Sequence, residues 1–248
     1  MKAPSWMTAQ PIAHRGLHDA ANGIIENSPT AALAAVERGF GIECDVQLTK
    51  DGEAVVFHDF ELDRLTTSTG RVDAMTARAL AKVRMRGTAD RIITLAEFIG
   101  LIGGRSPLVV EVKSRFDGNM TLVRRVAQVV NATTAPIVLK SFDPKVVSVL
   151  QLLTPGHARG IVAMLDYSYP DYATCSKAEK HAMANLLHFS ETRPDFLSWR
   201  VGDLPSAAPN LFRSALGLPV MTWTVRTPKD RTLAAAHADQ IVFEGFVP

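Results

Sequence analysis

Eight short apolar runs recur along the chain, beginning near residues 11, 41, 108, 137, 160, 195, 219 and 240, with a helix-like segment between almost every neighbouring pair. Strand, helix and strand in succession form the βαβ unit, whose strands run parallel. Eight such units in 248 residues fit a closed (β/α)8 TIM-type barrel. An open doubly wound sheet is the alternative, but no Gly-rich loop of the G-x-G-x-x-G kind follows the first run. The chain is 47% hydrophobic, enough for a sizeable core, and lacks any linker rich in Pro, Gly or Ser. The reading is α/β, one domain over residues 1–248, with 60–93 as a small insertion after the second strand.

Local punctuation supports this layout. Ser28-Pro29 is a helix start, Ser as cap and Pro in the first turn, and Gly39 ends the Ala-rich run that follows. Thr94-Leu95-Ala96-Glu97 is a capping box, and Asp143-Pro144 and Thr227-Pro228 open two further helices. A helix is expected over 178–188 and a short one over 76–83, with a loop at 165–177. The polar, turn-rich stretch 60–93 interrupts the repeat.

The second strand carries the densest information. In Gly41-Ile42-Glu43-Cys44-Asp45-Val46-Gln47-Leu48, Glu43, Asp45 and Gln47 share one face and Cys44, Val46 and Leu48 the other. Asp51-Gly52 is a tight-turn signal, and the chain returns as Ala54-Val55-Val56-Phe57-His58-Asp59. A hairpin pairing about this turn brings His58 back beside Cys44 and Asp45. Taken alone, the stretch also reads as a half-exposed hairpin with a wet polar face.

Composition narrows the class. Lys plus Arg number 27 against 25 Asp plus Glu, a net charge of +2, so there is no broad nucleic-acid surface. Cys44 and Cys175 are far apart and lack metal-type spacing, which reads as two free thiols in a reducing compartment. No apolar run could serve as a signal peptide or span a bilayer, so a cytoplasmic protein without membrane insertion is expected. No interface signal specifies an oligomeric state.

In a closed barrel the C-terminal ends of the strands share one mouth. The polar residues expected there are His14 and Arg15, Glu43 and Asp45, Glu111 and Lys113, Lys140, Trp223 and Glu244, with His58 arriving from the hairpin. Charges within strands are costly unless paired, hydrated or bound to metal. Glu43, Asp45 and Glu111 are candidate oxygen ligands for a Mg2+- or Ca2+-sized ion. Arg15 and Lys113 are candidates to neutralise a phosphate ester, and Trp223 is a third substrate-binding candidate. His14 and His58 are candidate base and acid, since imidazole ordinarily titrates near pH 6.5. Each has a plainer reading: a structural histidine, a solvated strand-end lysine, a lateral Glu111–Lys113 pair, a packing tryptophan.

These residues fall within a longer series: His14-Arg15-Gly16, Glu26-Asn27-Ser28, Glu43-x-Asp45-x-Gln47-x-Thr49-x-Asp51-Gly52, Val56-x-His58-Asp59, Leu62-x-Arg64, Thr66-Thr67, Gly70, Glu111-x-Lys113, Ser141-Phe142 and Trp223-Thr224-Val225. In content and order the series resembles the glycerophosphodiester phosphodiesterases over almost the whole chain. The resemblance implies a barrel that hydrolyses glycerophosphodiesters to sn-glycerol 3-phosphate and an alcohol. It implies metal ligation by Glu43, Asp45 and Glu111, acid/base roles for His14 and His58, and phosphate contact by Arg15 and Lys113. It also makes 60–93 the family's insertion, which helps shape the substrate pocket. The ending Phe243-Glu244-Gly245-Phe246 departs from the Thr-Asp pair followed by Pro that the family more often carries. Two rivals are a lysophospholipase D, with Tyr167, Tyr169 and Tyr172 lining an apolar groove, and a barrel that binds phosphate esters without turnover.

Overall fold

Ser28 caps the first long helix as its sequence implies. Its Oγ accepts the Ala31 N–H at 3.2 Å, and Ala31, Ala32 and Ala35 are buried along helix Pro29–Glu37. The structure is a computed structural model that describes residues 3–248. Its strands are β1 (Ile12–Ala13), β2 (Gly41–Leu48), β3 (Ala54–Val56), β4 (Leu108–Val112), β5 (Ile137–Ser141), β6 (Arg159–Ala163), β7 (Phe196–Arg200), β8 (Val220–Val225) and β9 (Gln240–Phe243). They form one sheet in the order β1-β9-β8-β7-β6-β5-β4-β2-β3, with β1 also paired to β2. Eight parallel strands with a helix in each connection make this a (β/α)8 TIM-type barrel, and β3 is the extra strand after β2.

Two compact units can be distinguished along the chain. The first comprises residues 12–113 and 121–137. There β2 pairs in parallel with β1 and β4 and antiparallel with β3, with Asp45 opposite Glu111 and Val46 opposite Val56. The hairpin turn is centred on Asp51. Thr94 and Glu97 close the expected capping box on helix Leu95–Ile102, which ends at Gly103 in the left-handed region. The 60–93 segment has an apolar floor of its own, in which Leu62, Val72, Leu80, Met85 and Ile92 pack on Ile25, Val55 and Phe57. β2 is buried on both faces from Gly41 to Gln47, so the hairpin is not half-wet. Strands in parallel sheets are covered on both sides.

The second unit comprises residues up to 11, 114–120 and 138–248. Here β5 to β9 pair in parallel, each with the next. Asp143 caps helix Pro144–Leu153, and Thr227 with Asp230 caps helix Pro228–His237. Gly160 lies opposite Phe196 across β6 and β7, and a Cβ at Gly160 would overlap the Phe196 ring. The helix expected over 178–188 runs only Lys177–Ala184, and a second helix covers Phe189–Thr192. Asn185 donates from Nδ2 to the His181 carbonyl at 2.9 Å, and Leu186 takes φ +52°, so the chain must turn there. The short helix expected over 76–83 is confined to Ala77–Leu80. Among the described residues no helix is long and apolar enough to cross a membrane.

Candidate active site

The first strand is shorter than its apolar run because the backbone reverses hand. Arg15 has φ +56° and Gly16 φ +82°. A Cβ at Gly16 would sit 2.8 Å from the Ala31 carbonyl carbon, so only glycine fits. This turn directs the Arg15 backbone N–H onto Glu43 Oε2 at 3.1 Å. His14, 8% exposed, lies with Nε2 4.0 Å from the same oxygen.

Period-two geometry puts Glu43 and Asp45 on one side of β2, and register puts Glu111 opposite Asp45. Ligand atoms of all three lie within 4.8 Å of one another, and all three residues are buried. Asn27, itself at φ +57°, holds Asp45 twice. Its Nδ2 donates to Asp45 Oδ2 at 2.9 Å, and its Oδ1 accepts the Asp45 N–H at 3.1 Å. Lys113 Nζ lies 2.8 Å from Asp45 Oδ1 and 2.6 Å from Glu111 Oε1. Arg15 Nε approaches Asp45 Oδ2 to 3.3 Å. Burial pushes the Asp45 carboxyl up, but Lys113, His58 and Arg15 together outweigh it and hold it well below the usual carboxylate range. Lys113 is raised for the reciprocal reason: burial opposes its charge, and Asp45 and Glu111 overcome it.

The returning arm of the hairpin delivers His58. The Phe57 N–H donates to the Asp45 carbonyl at 3.0 Å, and Gln47 Nε2 donates to the His58 carbonyl at 2.8 Å. Asp59 Oδ1 lies 2.6 Å from His58 Nδ1. Arg64, reaching in from the 60–93 segment, donates from Nε to Asp59 Oδ2 at 2.6 Å. It also donates from Nη1 and Nη2 to Glu26 at 2.9 and 2.8 Å. Glu26 in turn accepts from Arg15 Nη1 at 2.6 Å. Burial favours the neutral form of Glu26, yet the Arg64 hydrogen bond and the charges of Arg15 and Arg64 bring it down to about 2. Among the described residues, His14 and His58 are thus linked to the carboxylates through one chain of charged contacts.

Of the ten polar residues expected at the mouth from the sequence, seven, namely His14, Arg15, Glu43, Asp45, His58, Glu111 and Lys113, lie together in the first unit, and Lys140, Trp223 and Glu244 lie in the second. Trp223 donates from Nε1 to the Ser198 carbonyl at 3.1 Å and meets Phe142 edge to face at 5.4 Å. Glu244 accepts from Arg226 Nη2 at 2.9 Å. Of the three loop tyrosines, Tyr167 and Tyr172 are buried against each other at 4.8 Å, and Tyr169 alone is largely exposed. The structure adds Glu26, Asn27, Asp59 and Arg64 to the site. All four stand inside the sequence motifs; Asp59 has its partners His58 and Arg64 close by in the chain, but Glu26, Asn27 and Arg64 also reach partners 11 to 38 residues away, which spacing alone does not connect.

A family model described as the glycerophosphoryl diester phosphodiesterase family matches residues 14–244. A glycerophosphodiester phosphodiesterase of Caldanaerobacter subterraneus subsp. tengcongensis is 43% identical over 111 residues, 42% of this chain and 44% of that one. The match thus spans less than half of that relative's length. The Bacillus subtilis protein YhdW is 28% identical over 93% of this chain and 92% of its own. Among solved structures, an Oleispira antarctica phosphodiesterase in complex with the product sn-glycerol-3-phosphate superposes with TM-score 0.76 at 20% identity, covering 94% of this chain and 92% of that one. A Thermotoga maritima glycerophosphodiester phosphodiesterase gives TM-score 0.70 at 23% identity, with coverages of 94% and 92%. With a match running from His14 to Glu244 and a shared fold, this chain belongs to the glycerophosphoryl diester phosphodiesterase family.

Proposed function

We propose that the chain hydrolyses glycerophosphodiesters to sn-glycerol 3-phosphate and an alcohol at the His14–Lys113 site. The observation that carries this reading is the buried trio Glu43, Asp45 and Glu111, with its ligand atoms within 4.8 Å of one another, beside two imidazoles and two cations. The donor set suits a hard divalent ion, Mg2+ or Ca2+, since every donor is a carboxylate oxygen. Three carboxylates against Lys113 and Arg15 leave one formal negative charge to balance. A divalent ion bound there would polarise a phosphoryl oxygen and ease deprotonation of an attacking hydroxyl.

The side chains of this chain do the remaining work. Arg15 and Lys113 take the phosphoryl oxygens and balance the charge that grows on them in the transition state. His14 accepts the proton of the attacking O–H, which belongs to the substrate's own glycerol or to water. His58 gives its proton to the departing alkoxide. Asp59, on the Nδ1 side of His58, fixes the ring so that Nε2 faces the leaving group. Trp223 is assigned to substrate binding on the strength of its Trp-Thr-Val motif. A cytoplasmic setting is supported by Cys44 and Cys175, which are both buried and held as thiols rather than in a disulfide.

The test supplies glycerophosphocholine, glycerophosphoethanolamine and glycerophosphoglycerol with Mg2+, with Ca2+ or with excess EDTA, and follows glycerol 3-phosphate. Metal-dependent release is expected. His14→Ala and His58→Ala should each lower kcat by about 10²–10⁴-fold, the usual size of an acid or base contribution. Folded protein that releases no product with any ion would refute the reading.

A further inference from the structure

A second concave site lies wholly within the second unit; no residue given a catalytic or binding role above lines it, and Phe116, Cys175 and Met183 of its lining share an apolar cluster with Trp223. It is a cavity of about 170 Å³ lined by Phe116, Pro144, Ala182 and Met183 on its apolar side and by Asp143, Lys145, Glu179, His188 and Glu191, with Cys175 adjoining. Lys145, Glu179 and Glu191 form an exposed rim, whereas Asp143, Met183 and His188 are buried.

His188 is the informative residue. It is 7% exposed, and its Nε2 is buried without a hydrogen-bond partner. Its other nitrogen fixes the tautomer. Nδ1 lies 3.2 Å from Thr192 Oγ1, and that hydroxyl donates its own proton to the His188 carbonyl at 3.1 Å. With the hydroxyl proton on that carbonyl, the ring proton belongs on Nδ1, facing Thr192 Oγ1, and Nε2 is left as the acceptor. Burial lowers the His188 pKa, with Glu191 and Asp143 pulling weakly the other way, which keeps the ring neutral at pH 7. An unmet acceptor in a buried position is costly, so it calls for a donor.

The charges around it select the kind of donor. Three carboxylates against Lys145 leave the lining at −2, so an anion is disfavoured. Among the described residues, the one set of His, Cys, Asp and Glu atoms that converges within 4.8 Å is Glu43, Asp45 and Glu111, so the groups here do not gather as metal ligands do. Phe116, Met183 and Pro144 suit a short carbon stem and the face of a cation.

We propose that this cavity binds a small primary ammonium compound, the alkanolamine class, with one N–H donated to His188 Nε2 and the charge balanced by Asp143, Glu179 and Glu191. A quaternary ammonium carries the same charge but no N–H, so it leaves Nε2 unmet. The site is independent of the catalytic reading, because its test measures binding alone.

Protein labelled with 15N-histidine would be titrated in EDTA, with the His188 Nε2 resonance assigned through His188→Phe. Ethanolamine should shift it saturably with a Kd on the order of 1 mM, and choline should bind at least about tenfold more weakly. Glu191→Gln, at an exposed position that leaves the core intact, should weaken ethanolamine roughly fivefold. A shift with glycerophosphoethanolamine as well supports the site and assigns it to a substrate head group; a shift with ethanolamine alone supports it as a site for the free amine. No saturable shift up to about 50 mM, as for a cavity that holds only water, or equal binding of choline, would overturn the proposal.

Discussion

Asn27 fixes Asp45 from both its backbone and its carboxylate side, which makes it a positioning residue for the candidate metal-binding trio. Asn27→Ala should weaken divalent-ion affinity by about 10–100-fold, the usual cost of removing an outer partner of a metal ligand. Calorimetric titration of Mg2+ or Ca2+ checks this, and Asn27→Asp, which keeps one acceptor but loses the donor, should recover little. Glu26 makes a second residue-scale prediction. Its pKa falls from 4.5 to about 2 on folding, so its stabilising contribution is complete above about pH 4.5 and vanishes as pH drops through about 2. Urea midpoints measured from pH 6 to about pH 2.5 should fall less steeply in Glu26→Gln than in the parent. Both residues sit in stretches whose chemistry is readable from sequence, yet only the strand-end carboxylates and the imidazoles announce a role there. Charges at strand ends are conspicuous because burial makes them expensive. Asn27 and Glu26 act through partners 18 and 38 residues away, and such contacts appear only after the chain has closed on itself.

At the scale of elements, the 60–93 segment is a small folded body rather than a loose loop. Leu62 and Leu80 are fully buried in its apolar floor, three residues from the His58–Asp59 pair in the first case. Leu62→Ala should cost about 2–5 kcal/mol of stability in urea unfolding, the range for emptying a buried leucine site. It should also lower kcat, because Arg64 depends on this floor to reach Asp59 and Glu26. The strands of the barrel were legible because each is an apolar run of the right length between capped helices. Helix ends were less so. The run 178–188 keeps a helical pattern, but the Asn185 side chain takes the His181 carbonyl and the chain turns at Leu186. That competition is local, and composition does not reveal which side wins. The turn at Arg15 and Gly16 shortens β1 in a similar way, since it requires a left-handed pair that an apolar run does not advertise.

For the molecule as a whole, binding of a divalent ion at the carboxylate trio would be linked to folding. An ion that binds the native trio and not the unfolded chain stabilises the fold by about 2.7 kcal/mol when present at about 100 times its Kd. For a chain of this length that amounts to roughly 5–10 °C in Tm. Scanning calorimetry with Mg2+, with Ca2+ and with EDTA should show the rise for whichever ion supports hydrolysis, and Asp45→Asn should abolish it. The barrel also constrains how its sequence can change over generations. Gly160 faces Phe196 on the neighbouring strand, with no room for a Cβ. Gly160→Ala alone should be destabilising by about 1–3 kcal/mol, whereas the same change made after Phe196→Leu should be tolerated better. The two positions are historically contingent on each other: a lineage can enlarge residue 160 only after it has first reduced residue 196, so one order of substitutions is open to drift and the reverse order is closed.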